Sequence, residues 1–292
     1  TVSIVTALLP RMAAAAADRD FRMVKRDYRR GMAMPIAANV PATILVVLLA
    51  RPLVTFLNPG VHDATALDAT ARVLAIMILG IVPFGLDLLN YRLFFALDDG
   101  RSPFLTQVVV ASVAMAVTLV SLAFRPEWTA YIYATSIVVS NVASWLTGVW
   151  LVRRRLGPLG LAAVLRTGVR VLVASIVAGA VTYPVARLGE PITSSLLDVL
   201  HGLGPWVGRP LAFGLHIAVV ALVFALCYVV VARAMHISEV GEIADLVLGR
   251  LGGRLRRRAS GSTVATDAVT PQRHGDEADE DEEGQRGTER PE

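Results

Sequence analysis

Apolar residues gather into six long runs, at 31–50, 73–97, 104–124, 128–152, 167–186 and 211–235, divided by polar stretches. Four of them, 31–50, 104–124, 128–152 and the 171–186 core of the fifth, hold no Asp, Glu, Lys or Arg. Crossing the hydrocarbon core takes roughly 20 mostly apolar residues in a helix. Backbone groups meet no water there, so each run must satisfy its own hydrogen bonds as a helix. The pattern predicts an all-α, polytopic membrane helix bundle.

Composition agrees: 54% of the residues are hydrophobic and mean hydropathy is +0.58, too apolar for a solvated domain of 292 residues. The net charge of +4 raises nucleic acid as a partner, but its distribution argues against one. Arg and Lys number seven in 11–30, one in 98–103, five in 153–170 and five in 236–258. The loops between these hold five in all, Arg51, Arg72, Arg125, Arg187 and Arg209. Basic residues stay on the cytoplasmic side, so the rich loops and the C-terminal tail are expected inside. The charge reads as a topology signal, in a multi-pass protein of the cell membrane.

Before the first run, TVSIVTALLP is free of charge and leads into a basic stretch, the reverse of a secretory signal. It reads as the end of a further helix, giving six full transmembrane helices plus the end of a seventh. Residues 11–30 read as a charged, helix-forming connector. Pro35 and Pro41 interrupt the first run, and 51–70 reads as an outer loop, turning at Asn58-Pro59-Gly60, with Asp63 or Thr65 capping the next helix. Residues 189–210 read as another outer loop, rich in Gly and Pro. From 236 to 292 the chain is basic, then polar and strongly acidic, which reads as a disordered cytoplasmic tail.

Candidate chemistry is sparse. The 73–97 run places Asp87, Asn90 and Arg92 toward its cytoplasmic end. An ionisable group inside a membrane helix is costly and usually faces a cavity or a partner. Asp87, Asn90 and Arg92, with Thr6 on the partial helix, are the candidate substrate-binding residues. Asn141, Ser140, Ser136 and Thr135 read as interhelical hydrogen-bonding groups. Asp98-Asp99 reads as a turn, and His216 has no ligand partner at helical spacing. Cys227 is alone. With no phosphate loop, Ser/His/Asp set or zinc pattern, the chain reads as neither an enzyme nor a metal or cofactor carrier.

Three segments in order carry a resemblance. TALLPRMA closes a helix before the charged connector, ARPLVTFL follows the Pro41 helix, and RLFFALDDGRSP (92–103) forms an inner turn. Together they resemble the C-terminal lobe of the MurJ/MviN lipid II flippase family. The resemblance implies a division into 1–165, the end of the eighth helix with the ninth to twelfth, then 166–235, the last two helices, and 236–292, the tail. The last pair would line a groove for a polyprenyl tail. It implies a transporter of a polyprenyl-linked peptidoglycan precursor working by alternating access among membrane lipids, and not a nucleic-acid binder. The family's head-group arginines have no counterpart in these residues. Its sodium site is in doubt, because 104–124 offers Gln107, Ser112, Thr118 and Ser121 but no carboxylate. Two other expectations stand beside it: an exporter of another polyprenyl-linked saccharide or of drugs, and a membrane scaffold recruiting cell-wall or regulatory proteins through its tail.

Overall fold

A computed structural model describes residues 13–15, 17, 18, 20–199 and 205–235. Among these residues every regular element is a helix and no strand occurs. The helices are α1 (Phe21–Leu48), α2 (Ala50–Leu57), α3 (Ala64–Met77), α4 (Ile81–Ala96), α5 (Arg101–Val120), α6 (Thr129–Leu156), α7 (Ala162–Val199) and α8 (Pro205–Ala234). A 3-10 turn, Ile78–Gly80, joins α3 to α4, so the two read as one span. Among the described residues, six helical stretches are long and apolar enough to cross a membrane, and each encloses one of the six apolar runs or ends within two residues of that run's C-terminal end. The partial helix, Thr6 and the tail from 236 lie outside the described residues.

Helix ends differ from expectation in three places. The charged connector does not stop short of the first span: Asp20 accepts hydrogen bonds from the Arg22 and Met23 amides, both at 3.1 Å, and α1 runs unbroken from there. The supposed outer loop 51–70 is mostly helix, with the expected turn after α2 and Asp63 capping α3 through the Thr65 amide at 2.8 Å. The third difference is α7, which continues through Gly189 and Pro191 to Val199. Gly189 ends nothing; it makes room. A Cβ there would lie 2.4 Å from His216 Cε1 on α8.

At the centre, α1 packs on both α4 and α7; α6 packs on α3, α4 and α5; and α7 pairs with α8. Lipid is as apolar as Leu, so close packing and interhelical hydrogen bonds hold such helices together. On α1 the contact stripe is Val24, Tyr28, Met32 and Ile36, four residues apart and all buried. On α6 a second stripe, Ser136, Ser140, Ser144 and Gly148, again four apart and buried, is small enough to admit neighbouring backbones. In contrast, only Ser102 and Thr106 are buried on α5, which leans on α6 at the edge.

Irregular backbone is compensated by neighbours. Pro41 has no N–H for the Ala37 carbonyl one turn earlier; the Tyr228 hydroxyl on α8 donates to that oxygen at 3.2 Å. Around the 3-10 turn, Asn141 of α6 donates to the Gly80 carbonyl and Asn39 of α1 to the Ile81 carbonyl, each at 3.4 Å. Thr118 of α5 donates to Ser136 of α6 at the same distance. Within the membrane, side chains thus replace absent backbone donors or reach carbonyls at a helix irregularity.

Candidate functional site

Of the four expected site residues, two come together. Asp87 and Asn90 lie one turn apart on α4, facing the gap between α1 and α6, and both are buried. Asn90 Nδ2 donates to Asp87 Oδ1 at 3.1 Å, and the Ser144 hydroxyl of α6 donates to Asp87 Oδ2 at 2.5 Å. From α1, the Tyr28 hydroxyl donates to Asn90 Oδ1 at 2.5 Å. Asn90 Nδ2 also lies 3.4 Å from the Trp145 carbonyl. The result is a four-residue polar knot tying three helices. Arg92, two positions beyond Asn90, is half-buried.

The knot leaves no room for a ligand. Asn90 is wholly buried, and a Cβ on Gly148 would stand 2.3 Å from its Nδ2 and 2.9 Å from its Cγ. Neither Tyr28 nor Ser144 was singled out from the sequence. Tyr28 hides among connector charges, although its i±4 neighbours Val24 and Met32 already trace a buried face. Ser144 continues the four-residue spacing of Ser136 and Ser140, which was the available signal.

A second polar centre fixes the α4–α5 turn. Asp98 adopts a left-handed backbone, φ 54°, a conformation Asp tolerates better than most residues. Asp99 then turns inward, accepting from the Arg101 and Ser102 amides at 3.1 and 3.2 Å and from the Ser102 hydroxyl at 2.5 Å. Arg155, at the end of α6, pairs with it at 2.9 Å. Burial pushes the Asp99 carboxyl up, but the Ser102 hydroxyl and amide, then Arg155, outweigh it and hold the group below its ordinary value. The motif expected to be a simple turn is therefore also a clasp between α5 and α6.

The opposite end of the bundle is more open. Cavities of about 380 and 270 Å³ adjoin there between α2, α3, α7 and α8, with Arg51, Pro52 and His216 lining both. A wider depression of about 1050 Å³ separates α3 from the start of α6. Among the described residues no group of three His, Cys, Asp or Glu side chains is placed to hold a metal ion.

This arrangement can be set beside known proteins. The family described as "Lipid II flippase MurJ" matches residues 1–201, which include α1 to α7. The chain belongs to the MurJ lipid II flippase family. A "Probable lipid II flippase MurJ" of Synechocystis sp. is 32% identical over 160 residues, covering 54% of this chain and 29% of that protein. A solved MurJ structure titled "Lipid II flippase MurJ, inward closed conformation" superposes with a TM-score of 0.54 at 16% identity, covering 80% of this chain and 43% of that one. At that identity the superposition speaks for the fold alone. The chain spans less than half the length of each of these MurJ relatives.

Proposed function

We propose that this chain is one part of a flippase that moves a polyprenyl-linked peptidoglycan precursor, lipid II, across the cytoplasmic membrane by alternating access. The observation that carries the reading is the family match along residues 1–201, supported by the six-span bundle. The chain's role is to bind and reorient a lipid, without bond chemistry. The arginine-rich end of α6, with Arg153, Arg154 and Arg155, faces the cytoplasm, as does the C-terminal tail. The tail is the contact for any cell-wall or regulatory protein.

Alternating access needs helices that move as rigid bodies about fixed joints. The Tyr28–Asn90–Asp87–Ser144 knot serves as such a joint, holding α1, α4 and α6 together as one wall. Asp87 and Asn90 position that wall; Arg92 and Thr6 remain the candidates for direct contact with the substrate. On α8, Leu215, Val219, Leu222, Leu226 and Val230 form an exposed stripe at helical spacing. With α7 it offers a polyprenyl chain an apolar track.

Complementation tests this reading. The gene that encodes this chain, taken with any coding sequence continuous with it, is expressed in bacteria depleted of their own flippase. Growth should recover, and newly made lipid II should become accessible at the outer leaflet. Correct membrane insertion without either recovery would reject the reading.

A further inference from the structure

The three hollows at the open end of the bundle have one helix in common. Ala71 of α3 lines the cavity of about 380 Å³, Leu67 the one of about 270 Å³, and Val73 and Ile76 the depression of about 1050 Å³. Little of α3 is packed: of its 14 residues only Leu67 and Ala71 are buried, against eight of the 16 in α4, which continues the same span. Its apolar contacts are local as well. Ala50 and Val54 of α2 join Leu67 and Ala71 in a cluster of their own. Among the described residues the main core draws on α1, α4, α6, α7 and α8 and takes nothing from α2 or α3. Arg51 pairs with Asp68 at 2.9 Å inside the same hairpin. The α2–α3 hairpin is thus a small body with its own core, resting on α6 and α8. Few buried apolar contacts to the rest of the molecule mark the regions that open most readily.

That body joins the bundle at breaks in the helix. Leu49, φ −97° and ψ 10°, separates α1 from α2. The 3-10 turn Ile78–Gly80 separates α3 from α4, and Pro83 offers the Leu79 carbonyl no N–H one turn on. A 3-10 stretch inside a helix often marks a hinge. Neighbours grip this one from both sides. Asn141 of α6 and Asn39 of α1 reach the Gly80 and Ile81 carbonyls, and each amide sits where a glycine leaves space. A Cβ on Gly80 would lie 3.2 Å from Asn141 Nδ2, and one on Gly85 2.4 Å from Asn39 Nδ2. These ties fix the turn to α1 and α6, the two helices that the Asp87 knot holds to α4. The tip of the hairpin is held separately: Arg209 Nη1 of α8 donates to the Pro59 and Val61 carbonyls at 2.8 and 3.0 Å.

We propose that the α2–α3 hairpin is a gate at this end of the bundle. It swings as one body about Leu49 and Ile78–Pro83, with Arg209 as its latch and Asn39 and Asn141 as the residues that position its pivot. The depression between α3 and α6 is the space it moves into, and the two cavities on the side of α7 and α8 widen as it goes. A helix of 14 residues is about 21 Å long, so a turn of about 10° at the pivot carries its far end about 4 Å. Meanwhile the knot keeps α1, α4 and α6 still. That the gate serves lipid passage at the outer leaflet rests on the function and orientation proposed above; the swing does not.

The whole gene product, freed of native cysteines including Cys227, is placed in lipid nanodiscs and spin-labelled in pairs. One pair, Thr70→Cys with Ala130→Cys, spans the depression; the other, Phe95→Cys with Leu146→Cys, lies within the wall of α4 and α6. Distances are read by double electron–electron resonance. Arg209→Gln should shift or broaden the first distribution by about 4 Å or more and leave the second unchanged. Arg209→Lys, which keeps a donor, should shift it less. Pro83→Ala returns a helical N–H to the pivot, so it should narrow the first distribution and cost lipid II flipping while the melting midpoint holds or rises. A proline with a merely structural role would not lose transport while keeping stability. A first pair that stays put in both Arg209→Gln and Pro83→Ala, or a wall pair that moves with it, overturns the proposal. So does full flipping in a Pro83→Ala protein, measured against a wild type that complements. Should Arg209→Gln fail to fold, the distances in Pro83→Ala decide. Because they are read in purified protein, their failure is distinct from a failure to complement.

Discussion

The knot between α1, α4 and α6 and the arginine-lined cavities use polar residues in opposite ways. In the knot, Tyr28, Asn90, Asp87 and Ser144 spend their donors and acceptors on one another, and all four are buried. Around the cavities, the Arg51–Asp68 ion pair stays substantially exposed. A closed network inside a membrane protein holds helices; an open one leaves its charges in reach of solvent. Polarity within a span is thus a poor guide to function until its partners are known.

The sharpest way to break this contrast is Asp87→Ala. It strands the Ser144 hydroxyl and one N–H of the Asn90 amide, each costing about 1–3 kcal/mol when buried without a partner. Thermal unfolding in detergent should show the largest drop of any variant discussed here, and an unchanged midpoint would mean the knot bears no load. Gly148→Ala comes next. Its new Cβ collides with a fully buried Asn90, an overpacking that costs about 1–3 kcal/mol, read in the same melt.

A smaller effect is expected at the α4–α5 clasp, as a pH dependence. The folded-state pKa of Asp99 lies below its ordinary value, so the stability it confers is present above that ordinary value and fades as pH falls toward the folded one. Melts of the wild type at progressively acid pH should show this loss, and Asp99→Asn should lack that component. Arg72→Gln should move the melting midpoint least, within the roughly 0.5 kcal/mol typical of surface changes. A large stability loss there would erase the distinction between the two regions.

Much of this fold is legible in the sequence because lipid imposes a coarse rule. Twenty apolar residues make a span, and each of the six runs falls on one of the six spans. What escaped were positions where tertiary contacts overrule local signals. Gly189 and Pro191 look like the end of α7, yet the glycine is the place where His216 of α8 closes in. Tyr28 looks like part of a charged connector, yet it is the donor completing the knot from α1. Asp87 and Asn90 stand out in the sequence because polar groups in a span are rare; that they satisfy each other depends on Ser144, 57 residues from Asp87. The arginine-lined cavities were hidden because their members come from four separate helices, and only the folded bundle brings them together.

The bond between Tyr228 and the Ala37 carbonyl has a consequence for assembly. Its two ends are 191 residues apart, so α1 enters the bilayer long before α8 has been made. During that interval Pro41 leaves α1 with a carbonyl that nothing in its own helix can satisfy. Arrival of the last helix supplies the missing proton donor, so a nascent chain halted before Tyr228 would carry an α1 that is inserted but chemically unfinished. The proline makes biogenesis of the first span wait upon the last.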